Sequence, residues 1–166
     1  MPRLNLAFQN NPSLLFGDKM ELAREFMNDN KVQSLLPPLI LAVEDNEDNL
    51  VLMRYALDAV GCRSICLQDS YSTVVLAKEH QPDLILLDIL LPGLSGIDII
   101  KLLKREPLTY DIPVVAVTAL AGAEDRERIL FAGFDDYLSK PFMIEEFESK
   151  IYHHLHRKLN PRAGVN

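Results

Sequence analysis

The chain lacks several features that would place it in a broad class of protein. Across its 166 residues, the apolar stretches fall far short of the roughly 20 residues that span a bilayer. The amino-terminal stretch MPRLNLAFQNNPS has one basic residue and no apolar core, so we expect no secretory signal. Basic residues are in the minority, and the net charge of −7 argues against nonspecific binding of nucleic acid through the whole surface.

Cysteine is also scarce, with only Cys62 and Cys66 in the chain. The two cysteines flank a predicted strand and lie four positions apart in the chain. At a rise of roughly 3.3 Å per residue, a strand would separate them by about 13 Å. That distance is too long for a disulfide. We therefore interpret both as small buried hydrophobic side chains, and reduced thiols suit a cytoplasmic location.

Apolar runs and helical patterns alternate regularly from Leu39 onward. The runs predict five strands, and apolar residues three or four positions apart predict a helix after each strand. Such alternation gives a parallel sheet with helices on both faces, the doubly wound α/β class. The predicted strands are 39–43, 63–68, 83–88, 113–119 and 136–139, and the predicted helices are 45–61, 69–80 (capped by Asp69 or Ser70), 96–105, 123–132 and one that begins after Pro141.

The chain divides into three predicted parts. Residues 1–38 form an N-terminal extension with one helix, which ends at Pro37 and Pro38 because proline cannot continue a helix. Residues 39–158 form the main domain, and residues 159–166 form a polar tail. Neither flank has the length or pattern of a DNA-binding domain. We therefore expect no direct DNA binding and no membrane contact, and we expect function through protein contacts.

Polar residues follow the predicted strands at their carboxyl ends, where doubly wound sheets bind ligands. Three carboxylates there would repel one another, and a divalent cation between them would relieve the repulsion. Oxygen ligands suit Mg²⁺, and the lack of His and Cys at these positions argues against zinc. The positions are Glu44 and Asp45 after the first strand, Asp88 at the third, Thr118 at the fourth and Lys140 after the fifth.

The same residues suit phosphoryl transfer. A carboxylate can attack a phosphoryl group and form an aspartyl-phosphate, and the reaction otherwise needs mainly alignment and charge neutralisation. Asp88 is the candidate nucleophile, because it ends the central strand and precedes a loop shaped by Pro92 and Gly96. Lys140 would supply a mobile positive charge and Thr118 a hydroxyl group.

These residues also carry a resemblance to a known family. From about Leu39 to Arg157, the chain resembles the receiver domain of two-component response regulators of the stand-alone type, and its motifs lie at that family's intervals. The resemblance implies a flavodoxin-like sheet of five parallel strands in the order 2-1-3-4-5, and a role in phosphorelay signal transduction. The matching motifs are the acidic pair Glu44–Asp45, the run Asp88…Pro92…Gly96, Thr118 in VTA and Lys140–Pro141 in DDYLSKPF.

The resemblance implies a role for each of the acidic positions. Asp88 would accept a phosphoryl group from a histidine kinase or a histidine phosphotransfer protein. Asp45, Asp88 and the backbone carbonyl of Leu90 would hold Mg²⁺, and Glu44 would act through a coordinated water. The domain would be a phosphorylated signalling protein rather than an enzyme, catalysing only its own phosphorylation and dephosphorylation.

The remaining roles concern the response to phosphorylation. Lys140 would pair with the phosphoryl oxygens, and its peptide bond to Pro141 would be cis. Thr118 would move toward the phosphate and draw Tyr137 inward as a switch. The activated domain would then bind a downstream protein, or a second copy of itself, through its fourth helix, fifth strand and fifth helix.

Three other functions are alternatives to phosphorelay signalling. A phosphatase of the haloacid dehalogenase type needs a second aspartate two residues after the nucleophile, and this chain has Leu90 there. A flavodoxin-like flavin protein needs a Ser-, Thr- and Gly-rich phosphate loop after the first strand, where Glu44 and Asp45 would repel phosphate. The alternative that remains is a receiver-like interaction scaffold that works without phosphorylation.

Three histidines, His153, His154 and His156, lie toward the carboxyl end of the last predicted helix. Cations are favourable at that end of a helix dipole. We interpret the three side chains as complements to the dipole rather than as a metal site.

Overall fold

The computed structural model describes residues 36–120 and 122–159, with side chains up to residue 156. Most of the predicted extension (1–38) and of the predicted tail (159–166) lies outside the described residues. From Pro37 onward, the described residues belong to one compact unit. None of their helices is both long and apolar enough to cross a membrane.

Five strands form one parallel sheet in the order β2-β1-β3-β4-β5. This order and the alternation of strands with helices confirm the predicted fold. The strands are β1 Leu39–Val43, β2 Arg63–Leu67, β3 Leu84–Leu87, β4 Val114–Thr118 and β5 Asp136–Ser139. The helices are α1 Glu47–Ala59, α2 Thr73–His80, α3 Gly96–Arg105, α4 Ala123–Ala132 and α5 Ile144–Leu159.

The core lies along the interior strands of the sheet. Every residue of β3 and of β4 is buried, as expected of parallel strands covered on both faces. The residues of the edge strand β2 are exposed or half-buried, because this strand has a neighbour on one side only. Cys66 is accordingly half-buried rather than buried, whereas Cys62 is buried as predicted.

The helix ends follow local capping rules. The side chain of Asn46 accepts a hydrogen bond of 3.0 Å from the Asn49 amide, so α1 begins at Glu47 rather than at Asp45. Glu47 and Asp48 then occupy the first turn of α1, where negative charge is favoured. Ser95 caps α3 in the same way, accepting 3.2 Å from the amide of Asp98.

The start of α2 was predicted wrongly. The sequence indicated a cap at Asp69 or Ser70, but α2 begins at Thr73, and its N-cap residue Ser72 makes no side-chain cap bond. The carboxylate of Asp69 instead closes a separate turn, accepting hydrogen bonds from the amides of Tyr71 (3.0 Å) and Ser72 (3.1 Å). The hydroxyl of Ser70 bonds to another loop altogether.

Candidate functional site

The register of the sheet brings Glu44 and Asp88 together. Val43 of β1 pairs with Leu87 of β3, so the next residue of each strand leaves the sheet at the same edge. The amide of Asp88 donates a hydrogen bond of 3.0 Å to the carbonyl of Val43, and the amide of Glu44 donates 3.0 Å to Leu67 of β2. The two carboxylates therefore come from adjacent strand ends that backbone hydrogen bonds hold in place.

Lys140 reaches the same edge from β5. Thr118, the last residue of β4, pairs with Ser139, and the amide of Lys140 donates 2.8 Å to the carbonyl of Thr118. The peptide bond between Lys140 and Pro141 is cis, as predicted. Lys140 therefore follows the last residue of β5 directly, beside the end of β4.

The ammonium group of Lys140 bridges the two buried carboxylates. Its Nζ lies 2.6 Å from Oδ2 of Asp88 and also donates a short hydrogen bond to Oε2 of Glu44. Burial acts to lower the pKa of Lys140, but the hydrogen bonds to Asp88 and Glu44 outweigh burial and raise that pKa. The lysine is therefore held in its charged form. This bridge was not foreseen from the sequence, which predicted only that Lys140 would face a phosphoryl group.

The other two oxygens of the buried carboxylates bond to the backbone. Oε1 of Glu44 accepts a hydrogen bond of 3.1 Å from the amide of Asn46, and Oδ1 of Asp88 accepts one of 3.0 Å from the amide of Leu90. All four carboxylate oxygens thus have a hydrogen-bond partner. A charged group can be buried at a low cost in free energy only when its atoms are paired in this way. Glu44 is 1% exposed and Asp88 is 4% exposed.

Asp45 adds a third carboxylate to the cluster and is exposed to solvent. Glu44, Asp45 and Asp88 each offer an oxygen, and these oxygens lie within 4.8 Å of one another. One ammonium group faces three carboxylates, so a net negative charge remains at the sheet edge. Oxygen donors that are few, close together and partly open to water fit a hard cation such as Mg²⁺, which keeps several of its waters.

Thr118 is fully buried at the end of β4. Its Oγ1 accepts a hydrogen bond of 3.3 Å from the amide of Leu120, two residues further along the chain. The hydroxyl proton is not used in that bond, so the side chain can still donate to an anion.

Tyr137, the other predicted switch residue, lies half-buried in β5, the strand next to Thr118. Two cations, one on α4 and one on α5, lie over its ring. The guanidinium carbon of Arg126 in α4 is 5.4 Å from the ring centroid, and Nζ of Lys150 in α5 is 5.7 Å from it. Both distances fall within the range of cation–π attraction. The sequence had indicated the tyrosine but not the two cations.

A network at the start of β5, the end of that strand opposite Lys140, was not predicted. His154 was interpreted as a complement to the helix dipole, but it is 2% exposed and its Nε2 lies 3.1 Å from Oδ2 of Asp136. Lys150 donates 2.7 Å to Oδ1 of the same carboxylate. A signal was present, because Lys150, Ile151, His154 and Leu155 recur at helical spacing, so that two polar residues share the side that faces the core.

The carboxylate of Asp136 is stabilised in its charged form. Burial acts to raise its pKa, but hydrogen bonds from His154, Lys150 and the amide of Tyr137 together hold that pKa well below its usual range. Asp136 opens β5, and Lys150 also faces the Tyr137 ring. The network therefore ties α5 to the strand that carries the tyrosine.

Comparison with known proteins places this geometry in a family. The sequence profile of the response regulator receiver domain matches residues 40–152. The chain belongs to the response regulator receiver family. Receiver domains interact with histidine kinases and phosphotransfer proteins, and the chain is accordingly a signalling protein of phosphorelay systems.

Two curated relatives illustrate the range of the family. The chain is 42% identical over 120 residues to the polar-differentiation response regulator DivK of Brucella anthropi, a match that covers 72% of this chain and 98% of DivK. It is 44% identical over 124 residues to the phosphate regulon transcriptional regulatory protein PhoB of Klebsiella pneumoniae. That match covers 75% of this chain but 54% of PhoB, so the receiver domain spans about half of that protein.

Solved receiver domains share the fold. The receiver domain of sensor histidine kinase PA1611 from Pseudomonas aeruginosa superposes with a TM-score of 0.68 at 32% identity, covering 72% of this chain and 98% of that one. That crystal structure has a magnesium ion coordinated in its active-site cleft. The receiver domain of Francisella response regulator 1452 superposes with a TM-score of 0.69 at 26% identity, covering 73% of this chain and 98% of that one.

Proposed function

We propose that this receiver domain accepts a phosphoryl group on Asp88 from a histidine kinase or a histidine phosphotransfer protein. The observation that supports this most directly is the 2.6 Å hydrogen bond between Nζ of Lys140 and Oδ2 of Asp88. A nucleophilic carboxylate at a strand end thereby lies next to a cation that can neutralise the incoming phosphoryl oxygens.

The transfer from a phosphohistidine to Asp88 would be a direct displacement at phosphorus. A carboxylate oxygen of Asp88 attacks the phosphorus of a phosphohistidine, forming a P–O bond while the P–N bond breaks. The electron pair of that bond stays with the imidazole nitrogen of the donor. The phosphorylated side chain would carry about −1.5 to −2 units of charge in place of the single charge of the carboxylate, and Lys140 would pair with it. Acetyl phosphate, a mixed anhydride of acetic and phosphoric acids, would react in the same way with acetate as the leaving group, so the domain would catalyse its own phosphorylation.

Mg²⁺ is the proposed cofactor. Asp45, Asp88 and the backbone carbonyl of Leu90 would hold the ion, and Glu44 would act through a coordinated water. When bound, the ion neutralises charge on the carboxylates and on the phosphoryl oxygens. Hydrolysis of the aspartyl-phosphate by water at the same site would return the domain to its resting state.

The signal would leave the site through Thr118 and Tyr137. The buried hydroxyl of Thr118 would donate to the phosphoryl group, and Tyr137 would move inward with it. Because the ring lies against Arg126 and Lys150, its movement would rearrange the charges on α4 and α5. The coupling thus runs from a new charge at the sheet edge to a pair of helix surfaces.

The proposed output surface is formed by α4, β5 and α5. Phe131 on α4 is 95% exposed and Met143 before α5 is 70% exposed, so apolar side chains are available there for a partner. The partner would be a downstream protein or a second copy of the chain. We place the encounter in the cytoplasm, because the free thiols of Cys62 and Cys66 suit a reducing compartment.

The test is phosphorylation by acetyl phosphate with Mg²⁺, read by intact mass on wild type and on Asp88→Asn. We expect wild type to gain one phosphoryl group, and we expect no gain in Asp88→Asn or in wild type with a chelator. Asp48→Asn is the matched control, since Asp48 is an exposed acid in the first turn of α1 and should leave labelling intact. No mass gain in wild type would overturn the phosphoacceptor assignment. The remaining alternative would then be an interaction scaffold that works without phosphorylation.

A further inference from the structure

A buried serine from one loop bonds to two points of another. Ser70 lies between β2 and α2 and is 2% exposed. Its hydroxyl donates a hydrogen bond of 2.8 Å to the carbonyl of Pro92 and accepts one of 3.2 Å from the amide of Leu94. Pro92 and Leu94 belong to residues 89–95, here called the acceptor loop, which follow Asp88 and lead into α3. One side chain therefore uses both its donor and its acceptor on the acceptor loop.

Neighbours of Ser70 reinforce this contact. Asp69 closes the turn that carries Ser70 through the amides of Tyr71 and Ser72. The ring of Tyr71 covers Gly93, so that a Cβ at Gly93 would lie 2.7 Å from the ring. Gly93 also has a φ of +82°, a conformation that other residues rarely adopt. The middle of the acceptor loop is thus packed closely against the β2–α2 turn.

The two ends of the acceptor loop are held by backbone contacts that do not involve Ser70. At its start, the amide of Leu90 donates 3.0 Å to Oδ1 of Asp88. At its end, the amide of Gly96 donates 3.0 Å to the carbonyl of Ile89, and a Cβ at Gly96 would lie 2.7 Å from Cα of Ile89. Leu90 therefore lies between two fixed points, the carboxylate of Asp88 and the hydroxyl of Ser70.

We propose that Ser70 is a positioning residue for metal binding, because it holds the acceptor loop, whose residue Leu90 is bonded to Asp88 through its backbone amide. The inference rests on the proposed function, in which the backbone carbonyl of Leu90 and Asp88 are ligands of Mg²⁺. Mg²⁺ requires nearly octahedral geometry at short metal–oxygen distances, so a small shift of one ligand weakens binding. Groups that hold the ligands of a metal influence its affinity in the same way.

The test compares Mg²⁺ affinity in two variants that each lose one buried hydroxyl. Ser70→Ala removes both bonds to the acceptor loop. Thr109→Val is the matched control, since Thr109 is fully buried and its hydroxyl donates 2.8 Å to the carbonyl of Leu103, outside the acceptor loop. Amide NMR spectra recorded during titration with MgCl₂ give the dissociation constant without any phosphorylation step.

We expect the dissociation constant for Mg²⁺ to rise about tenfold in Ser70→Ala, the lower end of the effect of groups that hold metal ligands. At saturating Mg²⁺, acetyl phosphate should still label Ser70→Ala to the level of wild type, because Ser70 touches no reacting atom. Thr109→Val should bind Mg²⁺ as wild type does. An unchanged constant in Ser70→Ala, or an equal rise in Thr109→Val, would overturn the inference.

Tyr71→Ala provides a second test of the inference if Ser70→Ala does not fold. Tyr71 is 66% exposed, so Tyr71→Ala should fold while losing the ring that covers Gly93. We expect it to weaken Mg²⁺ binding in the same direction, and an unchanged constant would count against the inference. Failure of the proposed function can be told apart from failure of the Ser70 inference, because in the first case wild type itself would gain no phosphoryl group.

Discussion

Lys140 donates a hydrogen bond of 2.6 Å to Asp88 across 52 positions of the chain. The same ammonium group bonds to Glu44, so one cation faces both buried carboxylates of the acidic cluster. A metal ion bound by Asp45 and Asp88 would compete with Lys140 for some of the same negative charge. The lysine should therefore oppose metal binding while it assists phosphoryl transfer.

We expect Lys140→Met to separate these two effects. Without the ammonium group, three carboxylates are left with no positive charge among them, so Mg²⁺ should bind about fivefold or more tightly. The rate of phosphorylation by acetyl phosphate should fall by about 100-fold, because a charge that stabilises the transferring group is lost. Titration by amide NMR measures the first quantity, and intact mass over time measures the second.

Lys101→Met is the matched control for this prediction, because Lys101 is an exposed lysine on α3. It should change neither the affinity for Mg²⁺ nor the rate of labelling. Weaker binding of Mg²⁺ to Lys140→Met than to wild type would show that the lysine supports the metal site instead of competing with it.

The contact between Lys140 and Glu44 marks the limit of what the sequence could predict. Apolar runs identify strands, and the rule for doubly wound sheets then brings Glu44, Asp88 and Lys140 to one edge. The pattern does not show which carboxylate the lysine selects, because that depends on the β4–β5 register and on the turn after β5. The lysine was expected to meet a phosphoryl group, and in the structure it bonds to both acids.

Long-range contacts also explain the prediction that failed at α2. Asp69 and Ser70 are typical helix-capping residues, and local rules alone favour a helix that starts beside them. The hydroxyl of Ser70 is instead bonded to Pro92 and Leu94, more than 20 residues away. A residue that serves a distant loop is indistinguishable, in sequence, from one that caps its own helix.

The hydroxyl of Thr118 offers a second prediction, on signalling rather than on labelling. Thr118→Ala should still be phosphorylated on Asp88, because the nucleophile and Lys140 are unchanged. The ring resonances of Tyr137 should then fail to shift on phosphorylation, since the donor that would follow the phosphoryl group is missing. NMR of ¹³C-labelled tyrosine before and after treatment with acetyl phosphate measures the response.

Thr118→Ser is the matched variant, because it keeps the hydroxyl and loses only a methyl group. It should restore the shift of the Tyr137 resonances. An equal response in the alanine and serine variants would mean that the tyrosine moves without help from the Thr118 hydroxyl.

The network around Asp136 gives a prediction on stability and pH. Hydrogen bonds from His154, Lys150 and the amide of Tyr137 hold the pKa of Asp136 below its ordinary value of 3.8. A carboxyl whose pKa is lower in the folded state stabilises the fold above its unfolded pKa, and this contribution disappears as pH falls through the folded pKa. At pH 7, Asp136→Asn should therefore lower the free energy of unfolding by about 1.5–3 kcal/mol, the usual value of hydrogen bonds to a charged group.

The pH profile distinguishes this effect from a simple loss of packing. Urea unfolding followed by circular dichroism between about pH 7 and pH 2 should show wild type and Asp136→Asn converging as the solution becomes acidic. Below the ordinary pKa of 3.8, the unfolded wild-type chain takes up a proton on Asp136, whereas the folded chain does so only near its lower pKa. Asp58→Asn, which changes an exposed acid on α1, should run parallel to wild type over the same range. A gap between wild type and Asp136→Asn that stayed constant down to pH 2 would mean that the shape of the Asp136 side chain, and not its charge, stabilises the junction of β5 and α5.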